Sequence, residues 1–215
     1  MIRLYDCMDS GNGYKVRLLL ALLGLDFERV ELNVIESETR SEAYRSKNAN
    51  FRIPMLEFPD GRRLAESNAI LFFLAEDSPY LPVDHWQRAQ ILQWQCFEQY
   101  SHEPYIAVLR FWHHANRLQE NQALIAGKIE GGNHALAVME GHLASKSFFV
   151  ADRYTIADIS LFAYTHVCHE GGFDLSPFPA VQAWLDRVKN EDGHIAITEV
   201  VGRQVAWSRV CSEME

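Results

Sequence analysis

Residues 52–70 read RIPMLEFPDGRRLAESNAI, and the fold prediction starts from this stretch. Its first apolar run predicts a strand over Met55 to Phe58, and the Pro59-Asp60-Gly61 turn that follows predicts a hairpin. A second strand is expected over Arg63 to Ala65. The pair Glu66-Ser67 then opens an apolar helix, because acidic and hydroxyl side chains favour a helix start.

This layout predicts two recognition elements close together. The strand edge at Ile53 could pair with the backbone of a peptide, and the helix start at Ser67 could hold a carboxylate. A small peptide with a free α-carboxylate would satisfy both elements.

The rest of the N-terminal half predicts a βαβ unit followed by another helix. Strands are expected over Ile2 to Cys7 and Phe27 to Leu32, with an apolar helix over Tyr14 to Leu23 between them and a short helix over Ser41 to Lys47. A crossover helix implies parallel neighbouring strands, whereas the later hairpin implies antiparallel ones. The order βαβαββα therefore predicts a mixed four-stranded sheet flanked by helices, a thioredoxin-like domain over residues 1–78.

Beyond the Pro-rich linker at residues 78–82, the pattern favours an all-α domain over residues 84–215. Asp84 can cap the first long helix, and the stretch Thr155-Ile-Ala-Asp158 is typical of a capping box. A bend or break is expected near Pro104. The fold class predicted for the whole chain is thus α/β plus all-α.

Composition narrows the function classes. The chain has 20 Lys and Arg against 29 Asp and Glu, a net charge of −9, without a basic run, which disfavours nucleic acid as a partner. Its apolar stretches are shorter than a bilayer span, and its first residues lack signal-peptide features, which disfavours a membrane partner. Four scattered cysteines without a Cys-x-x-Cys pattern predict free thiols and a cytoplasmic location.

A thioredoxin-like half joined to an all-helical half resembles the glutathione S-transferase family. Two motifs carry the resemblance, Ile53-Pro54 followed by Glu66-Ser67-Asn-Ala-Ile70, and Thr155-Ile-Ala-Asp158. Because they anchor both halves in the right order, the resemblance covers essentially the whole chain. It implies glutathione as co-substrate and a homodimer.

Residues 10–16 look like the bacterial branches of that family, which use a Ser or Thr with an Asn near the first helix. The chain departs from the family pattern at Ala49, where a Pro is usual, and at Phe51, where a Gly is usual. These departures affect the local loop more than the residues expected to contact the ligand.

The resemblance implies that Ser10 and Asn12 are catalytic. Ser10 lies just before a helix start, where N–H groups and the helix dipole favour a thiolate, and both side chains could donate hydrogen bonds to the sulfur of glutathione. The alternative is local, in which Ser10 only caps the helix and Asn12 only adopts a turn conformation.

The resemblance further implies a cis bond at Pro54, which turns the backbone of Ile53 outward to pair with the cysteinyl unit of glutathione. The hydroxyl and N–H of Ser67 would bind the γ-glutamyl carboxylate, and Glu66 would face the γ-glutamyl amine. As an alternative, Glu66 and Ser67 are ordinary helix-start residues.

The glycyl carboxylate is expected to meet Arg52, or else Thr39 or Arg40, although solvated surface residues are an equal alternative. Some relatives use a cysteine near the first strand, but Cys7 lies inside the predicted strand and is interpreted as a buried, inert thiol.

The helical half is expected to supply a pocket for the second substrate. The residues at the corresponding place are Tyr100, Glu103, Tyr105, Ile106, Arg110 and Phe111, although aromatics at helical spacing are more often core. No metal is predicted, because His166 and His169 share a helix face without further ligands.

Three functions therefore stand side by side. The first is glutathione transfer to an electrophile, and the second is glutathione-dependent reduction of disulfides or peroxides. The third is a scaffold that keeps the fold and binds proteins without catalysis. The prediction is a cytoplasmic transferase whose partners are glutathione and a small electrophilic or disulfide substrate.

Overall fold

The computed structural model describes residues 1–212, and the chain divides into two compact units. The first unit combines Met1–Glu76 with the segment from Gly193 onward, and the second is Asp77–Asp192.

The first unit is built on a five-stranded mixed sheet. Its strands are β1 Ile2–Asp6, β2 Phe27–Glu31, β3 Met55–Glu57, β4 Arg63–Ala65 and β5 Arg203–Val205, in the order β4-β3-β1-β2-β5. Strand β2 runs parallel to β1 and β5, whereas β3 is antiparallel to β1 and β4. The predicted βαβαββα order and the hairpin are confirmed.

The α-helices of the described chain follow in sequence order. They are α1 Gly11–Leu22, α2 Glu42–Arg45, α3 Ser67–Leu74, α4 His85–Phe97, α5 Glu103–His114, α6 Gln122–Leu143, α7 Ile156–Thr165, α8 Pro179–Lys189 and α9 Trp207–Ser212. Among the described residues, no helix is both long enough and apolar enough to cross a bilayer.

The fifth strand corrects two predictions, the four-stranded sheet and the assignment of all residues in 84–215 to the helical domain. Strand β5 pairs with β2 through Glu28↔Arg203 to Val30↔Val205, so this segment belongs to the first unit. A three-residue strand has too short an alternation to be recognised from sequence alone. The end of the predicted domain, residues 213–215, lies outside the described residues.

Alternation along β1 divides the core of the first unit between the two faces of the sheet. Leu4 packs with Val16 and Leu20 of α1 and with Ile70 of α3. Tyr5 points to the other face, where it packs with residues of the neighbouring strands and of α2 and α9, namely Val30, Met55, Tyr44, Val205 and Val210. Helices α1 and α3 thus lie on one face of the sheet. Both begin at the end of the sheet where the predicted site residues lie.

The second unit contains α4 to α8. Thr155 and Asp158 form the predicted capping box at the start of α7. The expected irregularity near Pro104 takes the form of a π-helical turn over Glu98–His102, after which Pro104 stands in the first turn of α5.

Helix α6 runs without a break through Gly131 and Gly132, although glycine has a low intrinsic helix propensity. A Cβ atom at Gly131 would lie 2.3 Å from the ring of Tyr105, and one at Gly132 would lie 2.3 Å from the ring of Phe173. Two aromatic rings pack where the glycines leave room, so tertiary packing compensates the weak local propensity.

Candidate functional site

Ser10 is the N-cap of α1. Its Oγ accepts a hydrogen bond from the N–H of Gly13 at 3.1 Å, and its own N–H donates to the carbonyl of Cys7 at 2.9 Å. Because a hydroxyl carries one proton and two lone pairs, Ser10 can cap the helix and still donate its proton to a ligand. The capping role and the predicted catalytic role are therefore compatible.

The starts of α1 and α3 meet through side chains that are far apart in the sequence. The hydroxyl of Ser67 lies 2.9 Å from Oδ1 of Asn12, and Nζ of Lys15 lies 2.8 Å from the same oxygen. Lys15 also lies 3.4 Å from Oγ of Ser67. The structure thus brings together Asn12 and Ser67, which the sequence predicts for different parts of the ligand, and adds a buried lysine to which the sequence analysis assigned no role.

A buried carboxylate, Asp6, packs against the first turn of α1. A Cβ atom at Gly13 would lie 1.5 Å from Oδ1 of Asp6, so the carboxylate packs directly against the first turn of the helix. Asp6 also accepts the N–H of Cys7 at 2.7 Å and a bond from Nε of Arg29 at 3.2 Å. Burial raises the pKa of Asp6, while the charges of Arg17 and Arg29 lower it.

Arg17 links this carboxylate to two backbone segments. Its guanidinium donates to the carbonyl of Met8 at 2.8 Å, in the loop before Ser10, and to that of Ile197 at 3.2 Å. The hydroxyl of Tyr14 adds a bond to the carbonyl of Ile195 at 2.7 Å. The C-terminal segment is therefore fastened to the helix that carries the site.

Sequence reasoning missed these charged residues, although a signal was present. Asp6 falls inside a strand predicted to be buried, and Lys15 and Arg17 fall inside an apolar helix. A charge in a buried element needs a partner, so each of these positions indicated a tertiary ion pair or hydrogen bond.

The bond between Ile53 and Pro54 is cis, as predicted. The pairing of β3 with its neighbours ends at Met55, so Ile53 lies just beyond the last paired residue. The carbonyl of Arg52 is held by the hydroxyl of Tyr44 at 2.7 Å and by the amide of Asn48 at 2.8 Å. This segment of backbone is thus anchored from α2 and the turn that follows it.

Glu66 precedes α3 with φ of 67°, a left-handed conformation that is unusual for a side chain other than glycine. Its carboxylate is exposed and accepts a bond from the amide of Asn50 at 3.2 Å. Strained backbone of this kind persists only when its surroundings hold it, and it clusters at ligand sites.

The two candidates for the glycyl carboxylate differ in accessibility. Thr39 lies in a 3-10 turn, Glu38–Arg40, and its side chain is buried. Arg52 has an exposed side chain and is the more accessible of the two. Cys7 is half-buried, and burial raises the pKa of its thiol, which disfavours a reactive thiolate.

The residues predicted for a second-substrate pocket do not share one environment. Ile106 is fully buried beneath Gly132, so it packs in the core of the helical unit instead of lining a pocket. The guanidinium of Arg110, also buried, donates to Glu170 at 2.6 Å. The ion pair and the core packing give these two side chains a structural role.

The other members of that set lie nearer the surface. Tyr100 is 85% exposed, and Phe111 is also exposed. Tyr105 covers Gly131 and lies beneath the ammonium of Lys128, whereas Glu103 accepts a bond from Gln99 at 2.5 Å. Within the part of the chain that the structure describes, no group of three His, Cys, Asp or Glu side chains is arranged to hold a metal ion.

Comparison with known proteins adds a family pattern to this geometry. The profile of the glutathione S-transferase N-terminal domain matches residues 1–76, and that of the glutathione S-transferase C-terminal domain matches residues 122–187. A glutathione S-transferase-like protein, LUC7 of a Fusarium species, is 30% identical, over 93% of this chain and 92% of its own length. A maleylacetoacetate isomerase of Pseudomonas aeruginosa is 28% identical, over 86% of this chain and 90% of its own.

Solved structures agree with these matches. A glutathione S-transferase from Pseudomonas fluorescens superposes with a TM-score of 0.90 at 46% identity, covering 92% of this chain and 99% of that one. A glutathione transferase from Pseudomonas putida, solved with one glutathione disulfide bound per subunit, has a TM-score of 0.78 at 28% identity and covers 89% and 88% of the two chains.

Proposed function

Because the chain belongs to the glutathione S-transferase family, we propose that it binds glutathione at the joined starts of α1 and α3 and transfers it to a small electrophile. The observation that carries this proposal is the hydrogen bond of 2.9 Å between Ser67 and Asn12. It brings a candidate carboxylate site and a candidate sulfur site to one place. The glutathione disulfide in the P. putida relative supports glutathione as the ligand.

The binding mode follows from the groups available at each helix start. The N–H groups at the start of α3 and the hydroxyl of Ser67 would bind the γ-glutamyl carboxylate, since an anion is favoured at a helix N-terminus. Glu66 offers its exposed carboxylate to the γ-glutamyl amine. Ile53 would pair with the cysteinyl backbone, and Arg52 would reach the glycyl carboxylate.

The chemistry rests on an ionised sulfur. The thiol proton of glutathione leaves to solvent, and the hydroxyl of Ser10 and the NH₂ of Asn12 donate hydrogen bonds to the resulting thiolate. Charge-assisted hydrogen bonds of this kind and the dipole of α1 favour the anion. The electron pair of the sulfur then forms a C–S bond, and the leaving group departs with the electrons of the bond that breaks.

Glutathione-dependent disulfide reduction is a second candidate, because it uses the same thiolate. The sulfur would attack a disulfide, one S–S bond would form as another breaks, and a second glutathione would complete the exchange. The glutathione disulfide bound in the P. putida relative favours this candidate. The homodimer that the resemblance implies and the cytoplasmic location that the cysteine pattern predicts stay predictions.

Two measurements test the proposal. The first is retention of the folded protein on immobilised glutathione, where failure to bind would favour the non-catalytic scaffold. The second compares turnover of an aryl halide, a small disulfide and a hydroperoxide in the presence of glutathione. Activity with only the disulfide or the hydroperoxide would show that the function is reduction and not transfer to an electrophile.

A further inference from the structure

Lys15 stands one turn into α1, and its side chain is completely shielded from solvent. Burying an ammonium group carries a desolvation penalty that must be offset by partners. Two of those partners are Asn12 at 2.8 Å and Ser67 at 3.4 Å, the residues proposed for the sulfur and the γ-glutamyl carboxylate.

The chemistry of the ammonium group determines how the carboxamide of Asn12 is oriented. An ammonium only donates hydrogen bonds, so the atom of Asn12 that it contacts is the oxygen and not the nitrogen. The hydroxyl of Ser67 donates to the same oxygen at 2.9 Å. With its oxygen held by these two donors, Asn12 turns its NH₂ group away from Lys15 and Ser67.

Binding of a carboxylate changes the balance between the two donors. Ser67 has a single hydroxyl proton, and a carboxylate accepts that proton in place of Asn12. Lys15 has three N–H groups, so it can donate to the carboxylate and still keep its hydrogen bond to the amide oxygen after Ser67 has turned. The lysine therefore makes the orientation of Asn12 independent of the ligand.

We propose that Lys15 is a positioning residue of the glutathione site, which fixes the carboxamide of Asn12 so that its NH₂ donates to the sulfur. This inference rests on the proposed function. Lys15 acts through Asn12 and does not itself contact the reacting atoms.

A double-mutant cycle tests whether the two residues act together. The pKa of the thiol of bound glutathione is measured from thiolate absorbance in the wild type, Lys15→Met, Asn12→Ala and the double variant. Lys15→Met should raise that pKa by about one unit, which leaves about tenfold less thiolate at neutral pH. In the Asn12→Ala background the same substitution should lower the thiolate fraction by less than about twofold, since the effects of coupled residues are not additive.

Lys47→Met is the matched control. Lys47 lies in the same unit, has a nearly buried side chain and pairs with Glu57 at 2.9 Å, away from the proposed ligand groups. It should leave the thiol pKa unchanged even if it lowers stability. Additive effects of Lys15→Met and Asn12→Ala, or an unchanged thiol pKa in Lys15→Met, would overturn the inference.

If Lys15→Met does not fold, Lys15→Gln carries the test, because it keeps a polar side chain whose amide nitrogen is one bond closer to the backbone, so it loses the 2.8 Å contact with Asn12. It should raise the thiol pKa in the wild-type background and not in the Asn12→Ala background; any other result counts against Lys15. A wild-type protein that fails to bind glutathione overturns the proposed function, whereas one that binds it and ionises its thiol without any effect of Lys15 overturns only this inference.

Discussion

Nε of Arg17 lies 3.3 Å from Oδ2 of Asp6, and both side chains are completely buried. This pair joins the second turn of α1 to the end of β1. Arg29 approaches the same carboxylate oxygen from β2 at 3.2 Å. A single carboxylate thus ties two strands to the helix whose start carries Ser10, and the geometry of the site depends on it.

Replacing Arg17 by methionine should lower the free energy of unfolding by about 3–5 kcal/mol, the usual loss when one partner of a buried pair is removed. The carbonyls of Met8 and Ile197 lose a donor in the same step. Urea unfolding measures the loss. Arg62→Met is the control, because the pair of Arg62 with Asp60 is exposed and removing it should change stability far less than removing Arg17. Equal losses in the two variants would contradict the structural role of Arg17.

Gly13→Ala should also destabilise the protein, by about 1–3 kcal/mol, because the added methyl group would overlap Oδ1 of Asp6. Gly127→Ala is the matched control, since apart from its chain neighbours and the backbone of its own helix no atom lies within 4 Å of a Cβ at that position. The control should stabilise by about 0.5–1 kcal/mol. Thermal unfolding of both variants gives the comparison, and a neutral Gly13→Ala would show that Asp6 does not pack against α1.

Asp158 offers a test of pH dependence. Burial raises its pKa to about 6, against hydrogen bonds from Phe149, Trp184 and Thr155 that lower it. The folded state therefore holds the proton more tightly than the unfolded chain. The stabilisation from this proton is complete below the unfolded pKa and is lost as pH rises through about 6.

The variant Asp158→Asn should be less stable, because an amide cannot accept all the bonds that reach the carboxylate from Thr155, Phe149 and Trp184. This variant should also lose the part of the pH dependence of stability that comes from Asp158. The unfolding free energy at about pH 7 minus that at about pH 4 should be more positive in Asp158→Asn than in the wild type. An identical difference in the two proteins would mean that Asp158 titrates alike in the folded and unfolded chain.

Ser10→Ala should reduce turnover with glutathione by about tenfold to a hundredfold, the effect of one lost charge-assisted hydrogen bond. Loss of the cap should lower stability by only about 1 kcal/mol. Asp84→Ala is the control, because Asp84 caps α4 through the N–H of Gln87 at 2.9 Å. It should show a similar loss of stability with turnover preserved. Undiminished turnover of Ser10→Ala would remove Ser10 from the mechanism.

Ser67→Ala should mainly weaken binding, raising the KM for glutathione by about tenfold through loss of a hydrogen bond to the carboxylate. The value of kcat should change less, since Lys15 still holds Asn12. Steady-state kinetics separate the two constants. Ser46→Ala removes an exposed hydroxyl from the same unit and should alter neither constant. An unchanged KM in Ser67→Ala would count against its assigned role.

Much of the fold was predictable because it follows from short-range patterns. The cap at Ser10, the hairpin around Pro59 to Gly61 and the capping box at Thr155 depend on residues within a few positions of one another. The cis bond at Pro54 was also predicted, but from the family resemblance. The same resemblance nominated Asn12 and Ser67 without showing how they meet.

The remaining features could not be predicted because their partners are distant in the sequence. Strand β5 is recognised only from its pairing with β2, and Arg17 only from its contact with Asp6. Ile106 and Arg110 fit a pocket by helical position, yet packing against Gly132 and pairing with Glu170 put both in the interior.

The sequence by itself determined which side chains stand at the starts of the site helices, since capping is a local property of the backbone. It placed the start of α1 at Tyr14, three residues later than the observed start at Gly11. Only the tertiary structure decided that the starts of α1 and α3 touch, and that the buried charge of Lys15 lies between them. The physical reason is that a charge leaves water only where folding supplies its partners. Two of those partners are Asn12, one turn away, and Ser67, which follows three further strands along the chain.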